Sequence, residues 1–169
     1  MITSDELAKW QSVLPFWMSV SLLPILWIGA VFGSLWILLM PVATWYLFAF
    51  LDEIVGLNTE NADLNTEEAE LNWYILLTKV WVPLQVINLV AILWYVTGTS
   101  HLNGLEKFGV FFGVGVLNGT IGINYSHELM HQKNRLERHL ADVLLASVLY
   151  SHFRSEHLLV HHRYVGTPR

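Results

Sequence analysis

HELMH at 127–131 and EHLLVHH at 156–162 place five histidines within 36 residues of a chain that holds only eight. Neutral imidazole is a metal ligand. His127 and His131 stand i and i+4, so on a helix their rings share one face and can share an ion. His157 and His161 repeat that spacing, and His162 follows directly. H-E-x-x-H alone is the signature of a zinc peptidase, with Glu128 as general base. A catalytic zinc takes three protein ligands and keeps a fourth position open. Five imidazoles exceed that need and point to two metal ions, and imidazole suits iron, copper and nickel as well as zinc. Glu128 and Glu156 each precede a histidine. They can ligate, act as a base, or accept an imidazole N–H and so fix its ring. In a two-iron site the last role is favoured. His101 reads as a turn residue on the opposite side, His139 as structural, and His152 as ambiguous, near enough to join the cluster but favoured to lie outside it. Asp142 is positioned to pair with Arg138 at i+4.

The elements that carry these boxes are apolar. The chain is 54% hydrophobic and 14% charged, against about 25% charged in ordinary soluble domains. Residues 12–51 contain no charged side chain, enough for two passes of roughly 20 residues each. The sequence predicts an all-α integral membrane protein with four transmembrane helices, at about 12–32, 34–51, 73–97 and 108–126, followed by the histidine segment 127–169. Gly33 and Ser34 form the first reversal. The loop from Leu51 to Asn72 holds seven carboxylates and no base. Trp and Tyr gather near span ends, as in an interfacial belt. An even number of spans returns the histidines to the side of the N-terminus. Six of the nine Lys and Arg fall in 127–169, which makes that side cytoplasmic by the positive-inside rule. The stretch 141–153 is too short to span and reads as a re-entrant or buried helix.

With no cysteine, disulfides, thiolate catalysis and thiolate metal sites are excluded within this chain. A net charge of −5 gives no reason to expect nucleic acid. At about 100° per residue, Gly113, Thr120, Asn124, His127 and His131 fall on one stripe of the fourth span. That stripe reads as the wall of a substrate cavity ending at the first histidine box. Gly115, Gly119 and Gly122 lie on the opposite side, a face suited to close helix packing.

NYSHELMHQKN followed by SHFRSEHLLVHHRYVGTP resembles the membrane alkane 1-monooxygenases, within the fatty acid desaturase and hydroxylase superfamily. The match is close over 120–168 and includes the tail of His161, His162, Arg163, Val165, Thr167 and Pro168. The resemblance implies an inner-membrane enzyme of about six spans, with cytoplasmic-side histidine boxes holding two non-haem irons. These would use O₂ to hydroxylate a C–H bond, for this family the terminal methyl of a medium- to long-chain alkane. Electrons would come from rubredoxin and rubredoxin reductase, and the apolar substrate from the lipid bilayer. Residue by residue, the resemblance carries the ligand role onto His127, His131, His157, His161 and His162. Val160 stands where the family commonly has glycine. The family's last spans, a further histidine and the third histidine box lie beyond Arg169. The chain therefore reads as one truncated membrane domain, an N-terminal fragment, expected to be inactive alone. Two alternatives stay open in the same superfamily: an aromatic methyl (xylene) monooxygenase, and a fatty acyl desaturase or hydroxylase. A third, of another class, is an intramembrane zinc peptidase using HELMH, with Asp52 available near a span end.

Overall fold

The computed structural model describes residues 13–55 and 72–166. Four helices are long and apolar enough to cross a bilayer: α1 Val13–Phe32, α2 Ser34–Ile54, α3 Asn72–Gly98 and α4 Gly104–Met130. An amphipathic helix α5, Arg135–Ser147, and a short helical segment α6 over residues 153–164 follow. No strand occurs among the described residues. Every backbone polar group in a lipid-facing segment must be satisfied within that segment, and helices are how an open chain achieves it. Large apolar side chains such as Leu35, Tyr46, Phe50, Ile87 and Trp94 point outward, as lipid contact requires. The acidic loop beyond Val55, residues 56–71, lies outside the described residues.

The first reversal is built as the sequence suggests. Gly33 has φ 62° and ψ −153°, a region essentially reserved for glycine. A Cβ there would meet Leu102 at 2.9 Å and Glu106 at 3.0 Å. Glu106 joins the two hairpins at this end. It accepts from Ser34 N at 2.6 Å and from Asn103 N at 2.8 Å, while Asn103 accepts from Glu106 N at 3.0 Å. The last two bonds close a capping box at the start of α4.

Close packing of α4 uses a different glycine pair from the one its sequence suggested. A Cβ on Gly109 would strike Ile37, and one on Gly113 would lie 3.1 Å from Leu26 and 3.3 Å from Met40. Gly115 and Gly119 have nothing within 4 Å in that direction. Periodicity finds a stripe of small residues, but which stripe is covered depends on where the neighbouring helices lie. Gly122 does pack tightly, against the Gln85 amide of α3.

The stretch 141–153 is not one buried helix. Asn134 accepts from Leu136 N at 2.9 Å and caps α5, so that helix starts at Arg135 and ends at Ser147. Its inner face carries Glu137, Ala141, Leu144 and Leu145, while Arg135, Leu136 and His139 are exposed. Lys79 of α3 reaches Glu137 at 2.5 Å. A turn with Leu149 at φ 59° then leads to α6.

Candidate metal centre

α4 runs past the expected span end at 126 and continues to Met130, carrying His127 on its last turn and His131 at its C-cap. α6 faces it and brings the second box. Three Nε2 atoms approach that of His157: His127 at 2.9 Å, His131 at 3.1 Å and His162 at 2.9 Å. Ligand atoms of His127, His131 and His157 all lie within 4.8 Å of one another. One imidazole nitrogen has a single in-plane site, either N–H or lone pair. It cannot make three hydrogen bonds at once. Two imidazole nitrogens about 2.1 Å from one ion and at right angles to each other sit about 3.0 Å apart. The spacing thus fits a cation with several nitrogen lone pairs turned toward it.

His161 lies beside this group rather than in it. Its ring stacks on His157 with centroids 5.1 Å apart and planes 17° apart. The backbone explains the arrangement. Residues Glu156–His161 form a π turn, whose i→i+5 bonding makes His162 as well as His161 a neighbour of His157. A uniform α-helix pairs only His157 with His161.

The surroundings favour the neutral imidazoles of His131 and His157. Partial burial pushes the His157 and His131 pKa values down, and the neighbouring histidines push them further; for His131, Glu128 opposes this. Glu128 Oε1 is 3.5 Å from His127 Nδ1, placing a proton acceptor behind the nitrogen that faces away from the cluster. Glu156 is exposed and lines a shallow depression with His157, Val160, His161 and Tyr164.

The predicted cavity stripe is divided. A cavity of about 330 Å³ is lined by Phe16, Tyr74, Leu77, Asn124, Tyr125 and His127, among others. Asn124 therefore opens onto the space beside the first histidine. Gly113 is covered by Leu26 and Met40, and Thr120 bonds back to the Val116 carbonyl at 2.7 Å. Asn118–Gly122 is a second π turn. One inserted residue rotates everything before it by about 100° relative to the histidines, which takes Gly113 off the stripe.

The remaining polar residues are placed as follows. His152 packs edge-on against Tyr150, centroids 4.7 Å apart, outside the converging nitrogens. His101 contacts Thr99 at the far end. Asp142 pairs with Arg154 at 2.6 Å and sits 3.8 Å from His139. Arg138 instead donates to the carbonyls of Gln132 and Lys133, so the expected Asp142–Arg138 pair does not form. Phe153 had not stood out as a site residue. Its ring lies 5.2 Å from His157 and stacks on Tyr150, also at 5.2 Å. Its position four residues before His157 was the available signal.

Residues 107–169 match the family model described as fatty acid desaturase. Among curated proteins, the chain is 33% identical over 144 residues to alkane 1-monooxygenase 2 of Pseudomonas aeruginosa, covering 83% of this chain and 38% of that protein. It is 33% identical to alkane 1-monooxygenase of Pseudomonas putida, covering 76% of this chain and 32% of that protein. It is 29% identical to the Acinetobacter baylyi alkane 1-monooxygenase, over 90% of this chain and 40% of that protein. The chain spans about two fifths or less of the length of these relatives. The resemblance read from the two histidine boxes is thereby shown: the chain is similar to the alkane 1-monooxygenases over most of its length, and its residues 107–169 match the fatty acid desaturase model.

Proposed function

We propose that this chain carries part of the di-iron centre of a membrane monooxygenase that hydroxylates an unactivated C–H bond. The substrate class is the medium- to long-chain alkane, attacked at its terminal methyl to give a 1-alcohol. The observation that carries the reading is the convergence of His127, His131, His157 and His162 nitrogens from two boxes, at the end of a membrane-spanning helix. The similarity to proteins named alkane 1-monooxygenase supports the choice of substrate.

An alkane offers no group for an acid or base to act on, so bound iron would supply the oxygen activation. The protein's share is position and exclusion of water. His127, His131 and His157 would hold the first ion, and His162 and His161, both beside His157, would contribute to the second. Glu128, 3.5 Å from His127 Nδ1, would orient that ring by accepting there, which leaves Nε2 free for metal; Glu156 is assigned the same service in the second box. The apolar cavity at Phe16, Tyr74, Leu77 and Asn124 gives a hydrocarbon in the bilayer a way to reach His127. Within this reading, electrons come from rubredoxin and its reductase, the membrane is the cell inner membrane, and the histidines face the cytoplasm. The chain is one membrane domain of a longer protein that supplies further ligands.

The zinc peptidase reading fares less well. It gives no role to His157 and His162, and Asp52 lines a separate cavity with Pro15, Met18, Phe48 and Leu51. The test is metal loading of the detergent-solubilised chain with ferrous iron. Binding that His157→Ala abolishes supports the oxygenase centre. Zinc binding that survives His157→Ala and is lost with His127→Ala favours the peptidase.

A further inference from the structure

Gln85 sits near the middle of α3 and is 1% exposed, well away from the histidines in sequence. Every side of its amide is engaged. Trp81 Nε1 donates to Gln85 Oε1 at 2.8 Å, and Gln85 Nε2 donates to Ser147 Oγ at 2.8 Å. Ser147 passes the chain on to the Leu144 carbonyl at 2.7 Å. On the third side lies Gly122. A Cβ there would come within 2.9 Å of Gln85 Cδ and Nε2.

Each partner leads to a histidine box. Gly122 closes the π turn Asn118–Gly122, five residues before His127, and that turn sets the rotation of the last part of α4. Trp81 packs edge-on against Tyr125, centroids 5.7 Å apart, two residues before His127. Ser147 is the last residue of α5. Beyond it, Tyr150 stacks on Phe153 and Phe153 lies against His157. A buried amide with its partners satisfied is rigid, and losing one partner leaves polar atoms without water or protein.

We propose that Gln85 is a positioning residue for the metal centre: one amide in α3 fixes both the π turn ahead of the first histidine box and the end of α5 ahead of the second. It thereby sets the distance and rotation between His127 and His131 on one side and His157 and His162 on the other. The inference rests on the metal-centre reading for its consequence, but the geometry can be measured without metal.

The chain has no cysteine, so spin labels placed through Lys133→Cys and Leu159→Cys report the separation of the two boxes in metal-free protein. These positions are exposed. The background chain is expected to give one narrow distance distribution. Gln85→Met, close in size but unable to bond, broadens it. Gly122→Ala broadens it too, because the new methyl displaces an amide held by two hydrogen bonds. Adding Gly122→Ala to Gln85→Ala causes little further change, since the shorter side chain leaves room. Cobalt(II) alone then serves as the metal probe in the unlabelled variants. Gln85→Met should weaken its binding by about tenfold or more, the scale seen when a supporting partner of a ligand is lost, and alter its visible spectrum.

An unchanged, narrow distance in a Gln85→Met chain of full helical content overturns the inference, whatever the metal does. Additive effects of Gly122→Ala and Gln85→Ala overturn the coupling between them. A changed distance in a chain that binds no cobalt even without substitutions sustains the positioning role and removes the metal reading instead.

Discussion

Removing Lys79 should cost more than removing its partner's charge. The Glu137 side chain is 11% exposed, whereas that of Lys79 is 39% exposed. Breaking a fully buried pair costs about 3–5 kcal/mol, because the survivor is an uncompensated buried charge. An exposed pair is worth about 0.2–1 kcal/mol. This pair lies between those limits, and its two members are not equivalent. Lys79→Met strands the Glu137 carboxylate on the inner face of α5, and a loss of about 2 kcal/mol follows from the mean of the two regimes. That is about 30-fold in the unfolding equilibrium. Glu137→Gln leaves a lysine that can extend its stem toward water, and about 1 kcal/mol or less is expected. Replacing both, as Lys79→Met with Glu137→Leu, removes both desolvation costs and should recover most of the loss. The assay is denaturant unfolding in detergent, followed by tryptophan emission and helical circular dichroism. Equal losses for the two single variants, or a double variant as unstable as the sum, would refute the reasoning about which charge is stranded.

Other perturbations follow from the same geometry. His157→Ala should weaken binding of the first cobalt(II) ion more than His161→Ala, because His157 contributes a nitrogen to the converging group and His161 stacks beside it; titration of each variant decides. Gly33→Ala forces a side chain into a glycine-only conformation against Leu102 and Glu106, and a loss of about 1–3 kcal/mol is expected by the same unfolding assay. The lowered pKa values of His131 and His157 mean that the folded, metal-free chain binds fewer protons there than the unfolded chain. Their contribution to stability is therefore full above the ordinary value of 6.5 and is lost as pH falls through the lowered values. Thermal midpoints across that range should fall with pH, and His157→Ala should flatten the slope. Protons also compete with metal for neutral imidazole, so cobalt release should follow the same direction of pH.

The sequence carried the site's chemistry more clearly than its geometry. Five clustered histidines, an uncharged run over 12–51 and the Gly33 reversal were each legible, because residue type alone constrains them. The two π turns beside the histidine boxes were not. Nothing in NGTIG or EHLLVH signals an extra residue in the coil, yet one turn moves Gly113 off the His127 stripe and the other brings His162 to His157. Long-range partners were equally hidden. Gln85 reads as one polar residue in an apolar span until Ser147 and Gly122 are seen against it. Asp142 has Arg138 at helical spacing, but Arg154, 12 residues away, makes the shorter contact.

Imidazole nitrogens of both boxes are expected to hold one metal ion together. X-ray absorption of the iron-loaded chain in detergent measures this directly, by counting nitrogen neighbours before and after His157→Ala. The expected result is a coordination sphere rich in imidazole nitrogen that is lost with His157 in a chain that stays folded. An unchanged shell in His157→Ala, or a folded parent chain that takes up no iron, would contradict it.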